Sequence, residues 1–129
     1  MLRSLSYKDG KLRTGLDQME IAFALHDAQS LLWVDFTGDV VEEAEPVLQK
    51  TFGFHQLAID DALKETHVPR VDDWGQYLYI VLHNVVFNSK GGGQVDTQEL
   101  DIFLGHNYIV TLHEDPVDVI DPLWDVVVR

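Results

Sequence analysis

The stretch "QYLYIVLHNVVF", residues 76–87, decides the fold class. It reads as a β-strand because β-branched and aromatic residues dominate it. Successive side chains of a strand point to opposite faces of a sheet, and here both alternating sets are largely apolar. A strand of this kind must be covered on both faces, so the sequence predicts a sheet with helices on both sides.

Segments before and after this strand supply the rest of the predicted sheet. "LLWVDF", residues 31–36, is nearly all apolar and reads as another strand buried on both faces. "RVDDW", "TQELDIFL" and "NYIVTLH" read as strands that form an antiparallel meander with residues 77–87. Residues 2–7 and 11–14 flank the turn signal "KDG" and predict a short hairpin. Three consecutive glycines, residues 91–93, predict a flexible loop or hairpin tip.

Helices are predicted in the remaining stretches. Residues 17–28, 55–66 and 117–128 each place apolar residues on one side of a helix. Asp17 is a suitable N-terminal cap for the first of them.

A further helix is predicted directly after residues 31–36. Asp39 with Glu42 makes a capping box at its start, and Pro46 lies inside its apolar pattern and should kink or restart it. The order of elements therefore predicts an α/β fold. It is an α/β/α sandwich whose mixed parallel and antiparallel sheet is covered by helices on both faces.

Length and composition narrow the possible functions. The chain has 129 residues, which suits one domain, and no cysteine, which excludes a disulfide framework and a thiolate metal site. The net charge of −13 disfavours nucleic-acid binding and attracts cations, although acidic charge is also a common route to solubility. No stretch approaches the roughly 20 consecutive apolar residues that cross a membrane, and the start of the chain lacks a secretory signal.

Seven ionisable acids and histidines lie within residues 52–74: His55, Asp60, Asp61, Glu65, His67, Asp72 and Asp73. On the predicted helix, Asp61 and Glu65 are neighbours along one edge, and Asp60 points about 100° away and pairs with Lys64. Mg²⁺ prefers oxygen ligands and often takes only one or two carboxylates. One interpretation of this helix edge is a metal-binding site in which Asp61 and Asp60 are the ligands and Glu65 is a further candidate. The other interpretation is an acidic edge that is simply solvated.

Other candidate sites are weaker. The histidines have no zinc-binding spacing, so His55 reads as a helix-start residue and His83 as a hydrogen-bonded core residue. The chain has no nucleophile motif and no phosphate-binding loop. Asp35 lies at the end of a buried strand, where α/β enzymes often place a catalytic carboxylate. The alternative is a structural carboxylate that is hydrogen-bonded to nearby backbone amides. His113 reads as part of a turn after a strand.

The order of several motifs resembles the amino-terminal cytoplasmic domain of the CorA family of divalent-cation transporters. The motifs lie within residues 30–128 and run in the family's order: Trp33 and Asp35, Phe52 to His55, Asp60 and Asp61, Pro69 and Arg70, Tyr77 to Leu82, and Asn107, Thr111 and His113.

The resemblance implies an α/β/α sandwich from a homopentameric channel for magnesium that also carries cobalt and nickel. The acid pair would lie between neighbouring cytoplasmic domains and bind regulatory Mg²⁺ together with acids of long stalk helices. Ion occupancy would hold the closed state. Asp61 would be the main sensor ligand and Asp60 the auxiliary one.

The long stalk helix, the two membrane spans and the Gly-Met-Asn selectivity motif of that family do not occur here. We therefore expect residues 1–129 to be a soluble regulatory domain of a longer protein. In that protein the domain would lie at the cytoplasmic face of the cell membrane. By itself it would bind Mg²⁺ only weakly. It would not be an enzyme. The alternatives are the family's zinc-handling branch, a soluble acidic protein-interaction domain, and a hydrolase-like enzyme with a pocket joining Asp35 and His113.

Overall fold

A computed structural model describes residues 1–38, 41–64, 68–88, 94–115, 117 and 119–129. Seven strands form one sheet: β1 (Leu2–Lys8), β2 (Lys11–Thr14), β3 (Leu31–Thr37), β4 (Arg70–Asp73), β5 (Leu78–Asn88), β6 (Gln94–Leu104) and β7 (Tyr108–His113). Their order across the sheet is β2-β1-β3-β7-β6-β5-β4. The predicted amino-terminal hairpin is confirmed as β1 and β2, and the tip predicted at residues 91–93 lies outside the described residues.

The sheet is mixed, as predicted. β3 pairs with β7 in parallel, with Trp33 opposite Ile109. The other strand pairs are antiparallel, and β4 to β7 follow one another as the predicted meander. Because β7 returns beside β3, the carboxyl ends of these two strands lie at the same edge of the sheet.

Four α-helices accompany the sheet: α1 (Gln18–His26), α2 (Val41–Pro46), α3 (Gln56–Leu63) and α4 (Ile120–Val127). The predicted cap of α1 is confirmed, because the Asp17 carboxylate accepts a hydrogen bond from the Glu20 backbone N–H over 2.8 Å. Asp39 lies outside the described residues, as do Glu65, Thr66 and His67 at the predicted end of α3 and Pro116 and Asp118 before α4.

The prediction that Pro46 disturbs its helix is confirmed. The regular α-helix ends at Pro46 and continues as a π-helical segment, Val47–Thr51. In that segment the Phe52 N–H donates to the Val47 carbonyl five residues back, over 3.1 Å. Pro46 has no N–H to donate, which interrupts the regular pattern at this point. Val47 and Leu48 nevertheless remain buried against the sheet.

Helices cover both faces of the sheet, which confirms the α/β/α sandwich. The larger core lies between one face and α1, α2 and α3, and includes Phe36, Tyr79 and Phe103 with Ile21, Ala44 and Ile59. The smaller core lies on the other face under α4, and includes Trp33, Ile102, Val117 and Ile120. No helix in the described parts of the chain is both long enough and apolar enough to span a bilayer.

Candidate functional site

Packing fixes the orientation of α3, the helix with the predicted metal ligands. Ala58, Ile59 and Ala62 are buried against the sheet, so Asp60 and Asp61 lie at the borders of the buried stripe. His55 caps this helix, because its Nδ1 accepts the Leu57 N–H over 3.1 Å. Packing and this cap therefore hold α3 in a fixed orientation on the sheet. His55 is the helix-start residue that the sequence predicted.

Asp61 already has a cationic partner. Arg70, the first residue of β4, donates to the Asp61 carboxylate over 2.9 Å and to the Asp72 carboxylate over 3.0 Å. From the sequence, only Glu65 was considered as a neighbour of Asp61, whereas β4 runs past the edge of α3 and brings Arg70 to it. The Asp61 side chain remains 39% exposed, so solvent ions can reach it.

Asp60 points to a different neighbour. Its carboxylate accepts a hydrogen bond from Gln56 Nε2 over 2.8 Å, where the sequence predicted Lys64 as the partner. Asp60 and Asp61 thus diverge as predicted, one toward its own helix and one toward β4. Within the described residues no three acidic or histidine side chains are grouped closely enough to hold a metal ion, and Glu65 lies outside those residues.

Asp35 and His113 meet in the interior on the other side of the sheet. His113 Nε2 lies 2.8 Å from Asp35 Oδ1, and the two residues are 5% and 0% exposed. The cleft of about 370 Å³ that reaches His113 does not include Asp35, so it is not the predicted pocket joining the two residues. The expectation of a turn at His113 is wrong, because it is the last residue of β7 and its side chain turns inward.

The partners of Asp35 are side chains of β1 and β7, together with Thr37 of its own strand β3, whose Oγ1 donates to Oδ2 over 3.3 Å. Arg3 Nε on β1 donates to Oδ2 over 2.8 Å, and Thr111 Oγ1 on β7 donates to Oδ1 over 2.5 Å. Trp33 Nε1 in turn donates to Thr111 Oγ1 over 3.0 Å. The idea that backbone amides satisfy Asp35 is therefore wrong.

The hydrogen bonds of His113 define its charge. Its Nδ1 lies 2.9 Å from the Asp115 carbonyl, which can only accept, and its Nε2 faces the Asp35 carboxylate. Both ring nitrogens must then donate, so His113 is an imidazolium. Burial opposes that charge, but the hydrogen bond and charge of Asp35 outweigh it and raise the pKa of His113. Burial likewise opposes ionisation of Asp35, but the hydrogen bonds from His113 and Thr111 lower its pKa.

This buried network also holds α4. Arg3 donates to Asp121, in the first turn of α4, over 2.7 Å, and its guanidinium lies 4.6 Å from the centre of the Trp124 ring. Trp124 packs against Trp33 with ring centroids 4.9 Å apart. The network therefore joins β1, β3 and β7 to the carboxyl-terminal helix, which is a structural role.

Two polar residues at the sheet were missed from the sequence. Arg70 was noted only as part of a motif, although a cation at the start of a strand beside an acidic helix could have suggested its ion pair. Asp101 lies in the strand "TQELDIFL" and is 3% exposed. An acid at an inward position of an apolar strand was the signal that could have found it.

Comparison with known proteins identifies the family. The family model described as "CorA-like Mg2+ transporter protein" matches residues 28–126. The "Putative metal ion transporter YfjQ" of Bacillus subtilis is 38% identical over 87 residues, which are 65% of this chain and 25% of that protein. The "Cobalt/magnesium transport protein CorA" of Thermotoga maritima is 26% identical over 109 residues, 81% of this chain and 30% of that protein.

The fold is also found in a solved structure. The soluble domain of CorA from Methanocaldococcus jannaschii matches with a TM-score of 0.69 at 19% identity, covering 99% of this chain and 46% of that one. The chain spans only 25% and 30% of the length of the two curated relatives. Because the family model covers most of the chain, this protein belongs to the family of CorA-like Mg²⁺ transporter proteins.

Proposed function

We propose that this chain is the cytoplasmic regulatory domain of a CorA-like transporter of magnesium, with cobalt and nickel as further cargo. The observation that supports this most directly is the family match over residues 28–126, within which the acid pair falls on α3. Asp61 is the main sensor ligand, Asp60 assists it, and Glu65 is a further candidate. The domain is not an enzyme.

The proposed mechanism uses charge neutralisation. Copies of the domain would face one another in a pentamer, and stalk helices of the same and neighbouring subunits would supply the missing acids. Mg²⁺ between these carboxylates would bind the closed arrangement better than the open one, so occupancy would favour the closed state. Copies of a domain with a net charge of −13 repel one another, and such cations would reduce that repulsion.

The Arg70 ion pair gives this mechanism a resting state. Arg70 neutralises Asp61 when no metal is bound, which lets the acid remain in place without a cation from solution. A divalent ion carries twice the charge of the guanidinium and can displace it, because Asp61 is partly exposed. Arg70 keeps its second partner, Asp72, when Asp61 is taken by metal.

The test is Mg²⁺ protection against proteolysis in a transporter that carries this domain. Asp61→Ala should shift the protection curve to higher Mg²⁺ concentration, and Asp60→Ala should shift it less. Asp9→Asn removes the same charge from the turn between β1 and β2, where the φ of 52° also suits asparagine, and serves as the control. Unchanged protection in Asp61→Ala would remove Asp61 from the sensor. Repeating the titration with Zn²⁺ separates the zinc-handling alternative.

A further inference from the structure

His113 joins the end of β7 to the segment that leads to α4. Its Nε2 lies 2.8 Å from the Asp35 carboxylate, and its Nδ1 lies 2.9 Å from the Asp115 carbonyl in that segment. Both partners accept hydrogen bonds, so only the imidazolium, which carries two N–H groups, can satisfy them together. The contact between β7 and the segment before α4 therefore depends on one proton.

A second set of contacts connects the same pair to α4 itself. Arg3 donates to Asp35 over 2.8 Å and to Asp121 over 2.7 Å, and its guanidinium lies 4.6 Å from the centre of the Trp124 ring. Asp121 and Trp124 both belong to α4. Two cations and two anions thus form one neutral chain from β7 to α4. Removing the His113 proton leaves a single guanidinium between two carboxylates.

Apolar packing holds α4 only in part. Among the residues of this eight-residue helix, all of which are described, only Ile120 is buried, and Leu123 is 50% exposed. Trp124 packs on Trp33 with ring centroids 4.9 Å apart, and Val117 is buried in the same small core. An element with few buried apolar contacts opens at a lower free energy than a central sheet. The polar chain through Arg3 therefore contributes a large share of the attachment of α4.

The groups around His113 favour its charged form. Within the sheet it faces Asp35 of β3 and Arg3 of β1, and Thr37 Oγ1 lies 3.5 Å from its Nε2. Burial opposes the charge most, and Arg3 also opposes it, but the hydrogen bond and charge of Asp35 outweigh both and raise the pKa of His113. The charged groups of the adjoining cleft are Lys64 of α3, Glu99 and Asp101 of β6, and Glu114 and Asp115 after β7.

We propose that the chain of His113, Asp35, Arg3 and Asp121 is a pH-sensitive latch, which holds α4 on the sheet while His113 is protonated and releases it when His113 is neutral. A neutral ring that keeps its N–H toward the Asp35 carboxylate turns the Nδ1 lone pair toward the Asp115 carbonyl, and two acceptors 2.9 Å apart repel each other. The segment before α4 then separates from β7. This latch is a property of the fold and does not depend on the function proposed above.

The direction of the pH dependence follows from the raised pKa of His113. The latched state holds the proton more tightly than the released state, in which the ring has the ordinary histidine pKa of about 6.5. The latch is therefore fully closed below about pH 6.5. Above that pH the equilibrium constant for release rises by up to about tenfold per pH unit, until the pKa of the latched state is passed.

The experiment is an NMR titration of the 129-residue chain from about pH 6 upward. The ring ¹⁵N signals of His113 report its protonation, and amide hydrogen exchange reports the opening of each element. The protection factors of the α4 amides should fall by up to about tenfold per pH unit over the range in which the His113 ring titrates. The amides of β3 and β7 should remain protected, because the sheet keeps its core.

Three variants separate the latch from a general loosening of the fold. His113→Gln has no proton to lose, so the protection of α4 should be low and independent of pH. His26→Gln makes the same change in the last turn of α1 and should keep the wild-type profile. Asp101→Asn removes another buried group that titrates in this range and should also keep the release of α4.

Two results would overturn the proposal. One is protection of α4 that stays constant while the His113 ring titrates, which would make the network a fixed contact. The other is an equal loss of protection in α4 and β3, which describes global unfolding rather than the release of one helix. Both are read from the wild-type chain, so the test remains decisive even if His113→Gln does not fold.

Discussion

Arg70 donates to Asp61 over 2.9 Å, so the acid assigned to the regulatory cation already carries a cation from its own chain. Arg70 also donates to Asp72 and stands at the start of β4, which fixes the guanidinium beside α3. A divalent ion that binds Asp61 must therefore compete with an internal ligand. If Asp61 binds Mg²⁺ as proposed, the affinity depends on this competition as well as on the carboxylates.

Arg70→Gln should increase the affinity of Mg²⁺ for Asp61. Exposed ion pairs contribute about 0.2–1 kcal/mol, so the expected gain is about 1.5- to fivefold in Kd. The measurement is the Asp61 carboxyl ¹³C shift during a MgCl₂ titration. Arg13→Gln, which removes an equal charge from the exposed pair with Glu20, should change the Kd less. Equal gains in both variants would mean that only net charge matters.

Asp35→Asn should destabilise the fold by about 3–5 kcal/mol, because it leaves the buried His113 cation without its anion and removes one of the two carboxylates that bind the partly buried Arg3. Asp121→Asn removes the exposed end of the same network and should cost no more than about 1 kcal/mol. Urea unfolding followed by tryptophan fluorescence measures both. A similar loss of unfolding free energy in the two variants would show that burial of Asp35 does not determine its contribution to stability.

The sheet and its two helical layers were predictable because they depend on local pattern. The apolar run of residues 77–87 predicted cover on both faces, and helices do lie on both faces of the sheet. The cover does not reach the far end of β5, where Leu82, Val85 and Phe87 are exposed. The parallel pairing of β3 with β7 was not predictable in detail, because Trp33 and Ile109 are far apart in the chain and only the closed sheet brings them together.

The site was predicted only as far as one helix defines it. The different directions of the Asp60 and Asp61 side chains follow from helical geometry, and the structure shows them. The Arg70 partner of Asp61 and the contact between His113 and Asp35 depend on which strands become neighbours in the folded sheet. His113 was read as a turn residue because its neighbours Glu114, Asp115 and Pro116 are typical of turns.

His55 should stabilise α3 through two separable contacts. Its Nδ1 caps the helix at the Leu57 N–H, and its ring stacks on Trp74 with centroids 5.0 Å apart. His55→Asn keeps a capping acceptor and loses the stacking, whereas His55→Phe does the reverse. His55→Ala loses both and should be the least stable, with the cap accounting for about 1 kcal/mol. Urea unfolding measures the unfolding free energy of each variant and so ranks them. If His55→Phe were as stable as the wild type, the cap would contribute nothing.

Asp101 should make the fold less stable as the pH rises through the weakly acidic range. Its pKa is raised from 3.8 in the unfolded chain to about 8 in the fold, so the folded state holds a proton that the unfolded state has lost. The stabilisation is complete below the unfolded pKa and disappears as pH rises through the folded one, with a slope of up to about 1.4 kcal/mol per pH unit. Urea unfolding in a chelating buffer between about pH 4.5 and 6 isolates this group, because His113 changes charge only above its unfolded pKa near 6.5.

Asp101→Asn should flatten the dependence in that window and leave the domain more stable than the wild type near pH 8, since an amide needs no proton to remain neutral. Asp9→Asn makes the same chemical change at an exposed turn and should keep the wild-type slope. If Asp101→Asn kept that slope as well, Asp101 would be ionised in the folded state at weakly acidic pH. That result would mean that the nearby Arg70 guanidinium outweighs the burial of Asp101 and the charge of Glu99.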